Sequence, residues 1–123
     1  MIKTRTLDAI TILDLHGPLA AGQNDFALRT AVRLAFERGA TTVILNMQEV
    51  PSVDSSGVAA LASGHMTAVN RGGRFKLSNL TQKLKDVFVI MRLHTVFESY
   101  DTEADAIASA NANANANANA QQT

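Results

Sequence analysis

The chain has 123 residues, of which 46% are hydrophobic and 18% charged, and its 11 basic and 11 acidic residues cancel. This length and composition are typical of one soluble domain with a hydrophobic core. The balanced charge excludes an overall basic surface for nucleic acid, and the absence of cysteine excludes disulfides and thiolate metal sites. No apolar run approaches the roughly 20 residues that span a bilayer, and no signal-peptide segment follows Met1. We therefore expect a cytoplasmic protein without membrane insertion.

The first half of the chain predicts a β-hairpin, a helix and a central strand. Two runs rich in β-branched residues, 2–6 and 9–15, are separated by a tight turn, which favours antiparallel pairing. Apolar residues recur at helical spacing over 24–38, and Gly39 provides a stop. The nearly continuous apolar run 42–47 is typical of a central strand covered on both faces.

The second half of the chain alternates helices and strands. A helix follows Asp54 and ends at the turn 70–73, a strand is expected over 75–77, Thr81 caps the next helix, and 96–100 predicts a final strand. The buried side expected for the helix after Asp54 comprises Val58, Leu61, Ala62, His65 or Met66, and Val69. That expected for the next helix comprises Leu84, Val87, Phe88 and Met91.

The C-terminal segment differs in composition from the rest of the chain. A short helix is expected over 102–110, after which Asn and Ala alternate from Asn111 to Ala120. This segment has no apolar periodicity and no charge, so it cannot bury enough surface to offset its ordering entropy. We therefore divide the chain into one domain, residues 1–110, and a disordered Asn/Ala-rich tail, residues 111–123.

The order of the predicted elements, β-β-α-β-α-β-α-β-α, indicates an α/β fold. Alternating strands and helices favour right-handed crossovers between parallel strands. We expect a single domain with a mixed, mostly parallel sheet of four to five strands, packed with about four helices.

The sequence Asp54-Ser55-Ser56-Gly57 lies where the central strand gives way to a helix. Acids and small hydroxyls are preferred at helix starts, because their oxygens accept hydrogen bonds from free backbone N–H groups. A helix N-terminus also favours anions, so a phosphate on Ser55, adding about −1.5 to −2 charge, would lie in a favourable field. Gly57 costs up to ~1 kcal/mol relative to alanine in a helix, which indicates that another backbone or a partner approaches it closely.

Simpler interpretations of these residues remain open. Most Asp-Ser-Ser sequences at helix starts only cap the helix. A serine hydrolase would need glycine two residues before the nucleophile, where Val53 stands, and a base nearer than His65, which lies ~15 Å along the helix. The histidines lack the spacing of a metal site, Gly72-Gly73 lacks the rest of a phosphate loop, and no cofactor is expected.

Residues 53–58, Val-Asp-Ser-Ser-Gly-Val, resemble the signature of the STAS domain family (sulphate transporter and anti-sigma factor antagonist). The preceding strand, 43–47, is similar to the family's central strand, and 70–80 resembles its return strand after a Gly-Gly turn. Residues 84–97 resemble the family's third helix and last strand. The resemblance covers about residues 5–110 and implies a single STAS domain.

The resemblance implies an anti-sigma factor antagonist in a partner-switching pathway, rather than an enzyme. In the family, a serine kinase that is also the anti-sigma factor phosphorylates the serine after the aspartate, here Ser55. The unphosphorylated antagonist binds this kinase and thereby frees the sigma factor. The ATP is bound by the kinase, not by the antagonist. A phosphoserine phosphatase removes the phosphate and restores the starting state. Asp54, Ser56 and Gly57 would form the surface that the partner covers.

One segment departs from the family pattern. Many members carry Gly-acidic-Leu-Asp after the second strand, where this chain has Gly17-Pro18-Leu19-Ala20. In the family this loop lies next to the phosphorylation site, so the departure bears on partner choice and on phosphorylation. An alternative function is therefore a STAS binding module of a transporter ATPase complex or of a signalling scaffold.

Overall fold

The structure is a computed structural model that describes residues 1–121, with side chains described as far as Asn113. The strands are β1 (Ile2–Leu7), β2 (Ile10–His16), β3 (Thr42–Glu49), β4 (Arg74–Ser78) and β5 (Glu98–Tyr100). The helices are α1 (Asp25–Glu37), α2 (Ser55–Asn70), α3 (Gln82–Ile90) and α4 (Glu103–Gln121), and a short 3-10 turn (Leu93–Thr95) precedes β5.

The strands form one sheet in the order β1-β2-β3-β4-β5. β1 and β2 make the predicted antiparallel hairpin, and Asp8 at its turn takes a left-handed backbone conformation (φ 52°). The other neighbouring strands are parallel, because each is joined to the next through a helix. The predicted mixed, mostly parallel α/β sheet packed with helices is confirmed.

Side chains alternate between the two faces of the sheet. On one face, Leu45 and Leu77 lie in the main hydrophobic core with residues of α1, α2 and α3. On the other face, Ile12 and Ile44 pack against Ala106 of α4. The near-continuous apolar run of β3 is therefore explained by cover on both of its faces.

The predicted buried face of α2 is correct at Leu61, correct in part at Val58 and His65, which are half-buried, and wrong at Ala62 and Val69, which are exposed. The residues of α2 that are buried are mostly small, namely Gly57, Ala60, Leu61, Gly64 and Ala68. Met66 and Val69, expected on the buried face, are 54% and 56% exposed. A Cβ at Gly64 would lie 3.2 Å from the Phe75 ring. Close packing of α2 on the sheet therefore selects small residues and turns the larger apolar ones outward.

The ends of the other helices agree only in part with the sequence. Thr81 and Thr102 cap α3 and α4, each accepting a hydrogen bond from the N–H three residues further on (3.3 and 3.1 Å). Asn24 precedes α1 without capping it, and its side chain donates to the Pro18 carbonyl instead (2.9 Å). Met91, expected on the buried side of α3, follows the helix and is 47% exposed.

The last helix is longer than predicted. α4 runs from Glu103 to Gln121, through the Asn-Ala segment, instead of ending near Ala110. Alanine has the highest helix propensity, and a helix that is already nucleated and packed can be extended at little cost. The division into a domain of residues 1–110 and a disordered tail stays a prediction, and residues 122–123 lie outside the described part of the chain.

Candidate functional site

The 53–58 segment lies at the carboxyl end of the parallel strands. β3 ends at Glu49, and a short loop leads to Ser55, the first residue of α2. Open α/β sheets place binding sites at this edge, where the loops lead into helix N-termini. Ser55 is exposed and Ser56 is half-buried. Ser55 therefore lies in contact with solvent at the positive end of α2.

Asp54 is the N-cap of α2, and both of its carboxylate oxygens accept hydrogen bonds. The Gly57 N–H donates to Oδ1 (2.9 Å), and the Ala21 N–H donates to Oδ2 (3.1 Å). These two hydrogen bonds favour the ionised carboxylate and lower the pKa of Asp54 below its ordinary value. The charge next to Ser55 is thus held in one place, and it links the start of α2 to the loop after β2.

The loop after β2 pairs with the segment that precedes α2. The Leu19 N–H donates to the Ser52 carbonyl (3.0 Å), and the Asp54 N–H donates to the Leu19 carbonyl (3.2 Å). Leu19 and Val53 form an isolated parallel bridge, and the Leu19 side chain is fully buried. This loop therefore adds one parallel bridge beside the sheet and holds the segment that precedes α2 in place.

Gly57 marks the closest approach between that loop and α2. A Cβ added at Gly57 would lie 2.1 Å from the Leu19 carbonyl oxygen and 2.9 Å from Val53 Cγ1. Glycine is used where a backbone comes this close, because it has no side chain. The sequence predicts either another backbone or a partner close to Gly57; the structure shows a backbone, which belongs to Leu19.

The two positions that depart from the family pattern flank Leu19. Pro18 and Ala20 are half-buried, and Ala20 closes a turn through two backbone hydrogen bonds with Gln23 (2.8 and 2.9 Å). Within residues 17–20 and 53–58, Asp54 is the only acidic residue. An anion at Ser55 would therefore meet less negative charge here than beside a loop with two further acids.

His65 and His16 lie outside the candidate site at the start of α2. His65 lies on α2, and its ring packs edge-on against Phe97 with 6.1 Å between the ring centroids. His16 is exposed at the end of β2, where its carbonyl accepts a hydrogen bond from the N-terminal amine (3.1 Å). Among the described residues, no cluster of three or more His, Asp or Glu could hold a metal. In the same part of the chain, no helix is both long and apolar enough to cross a membrane.

The structure has all four predicted site residues at one helix start, and it adds two backbone contributors: Leu19, from the loop that the family resemblance places beside the site, and Ala21, which sequence reasoning missed. Leu19 and Ala21 contribute through their backbones, by accepting from Asp54 and donating to it. The sequence signals for Leu19 are its apolar side chain inside a turn-rich loop and its place in the 17–20 segment, which the family resemblance puts beside the site. Its contact with residues 52–54 depends on the pairing of segments that are far apart in the chain.

Comparison with known proteins gives a family and a fold. The family model of the STAS domain matches residues 1–106, and no curated protein matches the chain.

Among solved structures, a putative anti-sigma factor antagonist from Thermotoga maritima is 21% identical, with 89% of this chain and 94% of that chain covered and a TM-score of 0.81. A sulfate transporter family protein from Wolinella succinogenes is 22% identical over 87% and 88% of the two chains, with a TM-score of 0.76. The Bacillus cell fate determinant SpoIIAA, in its phosphorylated form, is 23% identical over 89% and 98%, with a TM-score of 0.66. At these identities the solved structures share the fold, and the family match extends over most of the sequence. The chain therefore belongs to the STAS domain family.

Proposed function

We propose that this protein is an anti-sigma factor antagonist in a partner-switching pathway and that phosphorylation of Ser55 controls it. In the unphosphorylated state it binds an anti-sigma factor that is also a serine kinase and that supplies the bound ATP. Phosphorylation releases the protein, and a phosphoserine phosphatase restores the binding state. The protein acts in the cytoplasm as a substrate and binding partner, without catalysis of its own.

The observation that carries this proposal is the exposure of Ser55 at the first position of α2. A kinase must reach the hydroxyl, and a residue in the middle of a packed helix would not be accessible to it. The neighbouring Asp54 is fixed by two backbone N–H groups. A partner therefore meets a rigid surface, formed by Asp54, Ser55, Ser56 and the start of the helix at Gly57.

The division of labour between Asp54 and Ser55 supports a switch that spares the fold. Asp54 caps the helix, and among the hydrogen bonds of the described residues none uses the Ser55 hydroxyl. A phosphate on that hydroxyl breaks no internal bond and lies near the positive end of the helix dipole. A docked protein, in contrast, would have to accommodate about two negative charges and three acceptor oxygens in its interface.

Two similar structures lend support to the idea that this fold tolerates a phosphate. SpoIIAA is known in an unphosphorylated form and in a phosphorylated form, and these match this chain with TM-scores of 0.68 and 0.66. The fold of that protein is therefore compatible with both states.

Phosphorylation with site mapping tests the proposal. The purified protein is incubated with ATP and the anti-sigma factor kinase of its host, and the phosphate is located by peptide mass spectrometry. We expect one phosphate on Ser55, none in Ser55→Ala, and normal phosphorylation in Ser56→Ala, which is the matched control for the neighbouring hydroxyl. A phosphate on Ser56, or none on the unaltered protein, would contradict the proposal.

The loop around Leu19 favours a second candidate, a STAS binding module of a transporter ATPase complex or a signalling scaffold. Pro18 and Ala20 replace the acidic residues of many antagonists, and one similar structure is a sulfate transporter family protein. Affinity purification of the tagged protein from its host separates the two candidates. An anti-sigma factor kinase in the complex supports the first, and a transporter ATPase supports the second.

A further inference from the structure

A recess lies between the edge strand β1 and helix α1, apart from the candidate site at the start of α2. Its volume is about 510 Å³, which is within the range of about 300–1,000 Å³ for small-molecule sites. β1 is the edge strand of the sheet, and the recess lies where α1 passes beside it. Ile2, Thr4 and Thr6 form the floor, and Ala27, Thr30 and Leu34 form the wall on α1.

The recess is apolar at one end and charged at the other. Phe26 stands at the apolar end and is 78% exposed, next to Ile2. Asp8 and Arg38 line the opposite end. The distance along the axis of α1 from Phe26 to Arg38, the residue that follows the helix, is ~18 Å, so a ligand in the recess has room for an extended apolar chain.

The polar groups of the recess have few partners within the protein. Among the described residues, neither Asp8 nor Arg38 takes part in a salt bridge. In the same part of the chain, the threonine hydroxyls that form hydrogen bonds are those of Thr41, Thr67, Thr81, Thr95 and Thr102, and none of them belongs to the recess. Two opposite charges therefore face the same end of an apolar recess, with hydroxyls along its length.

We propose that this recess binds a zwitterionic amphiphile, with its charged head between Asp8 and Arg38 and its apolar chain directed toward Phe26. A purely anionic head group would be attracted by Arg38 and repelled by Asp8. A purely cationic head group would be attracted by Asp8 and repelled by Arg38. A zwitterion satisfies both charges: the Arg38 guanidinium can donate charge-assisted hydrogen bonds to the anionic group, and the Asp8 carboxylate attracts the cationic group electrostatically. The site is separate from Ser55 and does not depend on the proposed function.

Three probes with the same chain length test the class of ligand. Decylphosphocholine, decanoate and decyltrimethylammonium are titrated as monomers, below their micelle concentrations, and backbone amide NMR shifts are followed. We expect saturable shifts at Thr4, Thr6 and Thr30, with decylphosphocholine binding at least ~10-fold more tightly than either singly charged probe. Decanoate or the ammonium probe binding as tightly as the zwitterion would overturn the assignment.

Four variants locate the site. Ala27→Trp fills the recess from an exposed position and should abolish the shifts, while the spectrum reports that the domain remains folded. Asp8→Asn, in which asparagine tolerates the left-handed backbone, and Arg38→Gln should each weaken binding several-fold. Arg33→Gln is the matched control on α1, because Arg33 lies outside the recess, and it should bind normally.

Three further results would overturn the proposal. These are the absence of saturable shifts, shifts that survive Ala27→Trp, and shifts of the same amides on simple dilution of the protein. The last result would mean that a second copy of the chain occupies the recess.

Discussion

The Leu19 carbonyl oxygen lies only 2.1 Å from the position that the Cβ atom of any residue other than glycine would occupy at position 57. The same oxygen accepts a hydrogen bond from the Asp54 N–H (3.2 Å). The loop after β2 and the start of α2 therefore form one unit. The surface around Ser55 depends on this contact as much as on the 53–58 segment itself.

Gly57→Ala should destabilise the protein strongly. The clash is with a backbone oxygen, which can move only if the loop or the helix moves, so we expect a loss of about 1–3 kcal/mol or more. Gly64→Ala is the matched control on the same helix, because its Cβ would meet only the Phe75 ring, at 3.2 Å. Helix propensity offsets part of that contact, so its effect should stay within about 1 kcal/mol. Urea unfolding of the two variants measures the difference, and equal losses would contradict the prediction.

Asp54→Asn should show how much the ionised Asp54 carboxylate at the N-cap of α2 contributes to stability at each pH. The pKa of Asp54 is lower in the folded than in the unfolded chain, because the Gly57 and Ala21 N–H groups hold its carboxylate. The stabilisation is therefore fully present above the ordinary value of 3.8 and is lost as the pH falls through the folded pKa. Asparagine keeps an acceptor oxygen but does not titrate. The unfolding midpoints of the two proteins should differ at neutral pH and converge in acid, and a difference independent of pH would speak against this cause.

Glu98→Gln should cost more stability than Lys76→Met. The Lys76 side chain is 1% exposed, and its ammonium lies 2.5 Å from the Glu98 carboxylate. Removing the negative partner leaves a buried cation; we expect ~1–3 kcal/mol, less than for a fully buried pair, because the Glu98 side chain is 49% exposed. Replacement of a buried charge by an apolar side chain of similar length is often nearly neutral. Urea unfolding at neutral pH compares the two, and a larger loss in Lys76→Met would reverse the prediction.

The same pair adds a dependence on pH. Burial raises the pKa of Glu98, but the hydrogen bond and the charge of Lys76, with smaller contributions from Tyr100 and Arg74, together lower it further than burial raises it. The pair therefore stabilises the fold above the ordinary glutamate value and ceases to do so as the pH falls through the folded pKa. Glu98→Gln should accordingly lose less relative to the unaltered protein in acid than at neutral pH.

Truncation separates the packed part of α4 from its extension. Ala110 is the last residue of the second core, which also contains Ala106 and Ile44. A chain that ends at residue 110 should unfold within about 0.5 kcal/mol of the full chain. A chain that ends at residue 102 uncovers Ile12 and Ile44 and should lose about 3 kcal/mol or more. Calorimetry or urea unfolding distinguishes these outcomes, and a large loss on removal of 111–123 alone would show that the tail belongs to the domain.

The elements that could be predicted from the sequence are those fixed by local chemistry. The β1–β2 hairpin, the buried strand β3 and the Thr81 and Thr102 caps follow from residue type and spacing, and the structure contains all of them. The Asp54 cap could be inferred in the same way, because its hydrogen bond to Gly57 spans three residues.

The features that could not be predicted depend on contacts between distant segments. Helical spacing predicts mostly large apolar residues on the buried face of α2, but close packing against Phe75 requires small ones, such as Gly64. A close neighbour of Gly57 could be anticipated as another backbone or a partner, but it could not be identified as the backbone of Leu19. The recess beside α1 depends on how far β1 extends beyond the helix, which no spacing in the sequence reveals.

Two substitutions of Ser55 should distinguish the effect of a negative charge on kinase binding from the effect of losing the hydroxyl. Ser55→Asp places a negative charge at the helix start and should weaken binding of the anti-sigma factor kinase. Ser55→Ala should bind it well and resist release by ATP. Isothermal titration of the kinase with both variants measures the effect, and equal affinities would mean that charge at this position does not regulate binding.

The most direct test compares the affinity of the anti-sigma factor kinase for the protein before and after phosphorylation of Ser55, with the free energy of unfolding measured for both forms. We predict that phosphorylation weakens binding at least ~100-fold, since uncompensated charge in an interface costs several kcal/mol. The free energy of unfolding should change by less than about 1 kcal/mol. Unchanged affinity, or affinity lost only because the phosphorylated domain unfolds, would contradict the proposed switch.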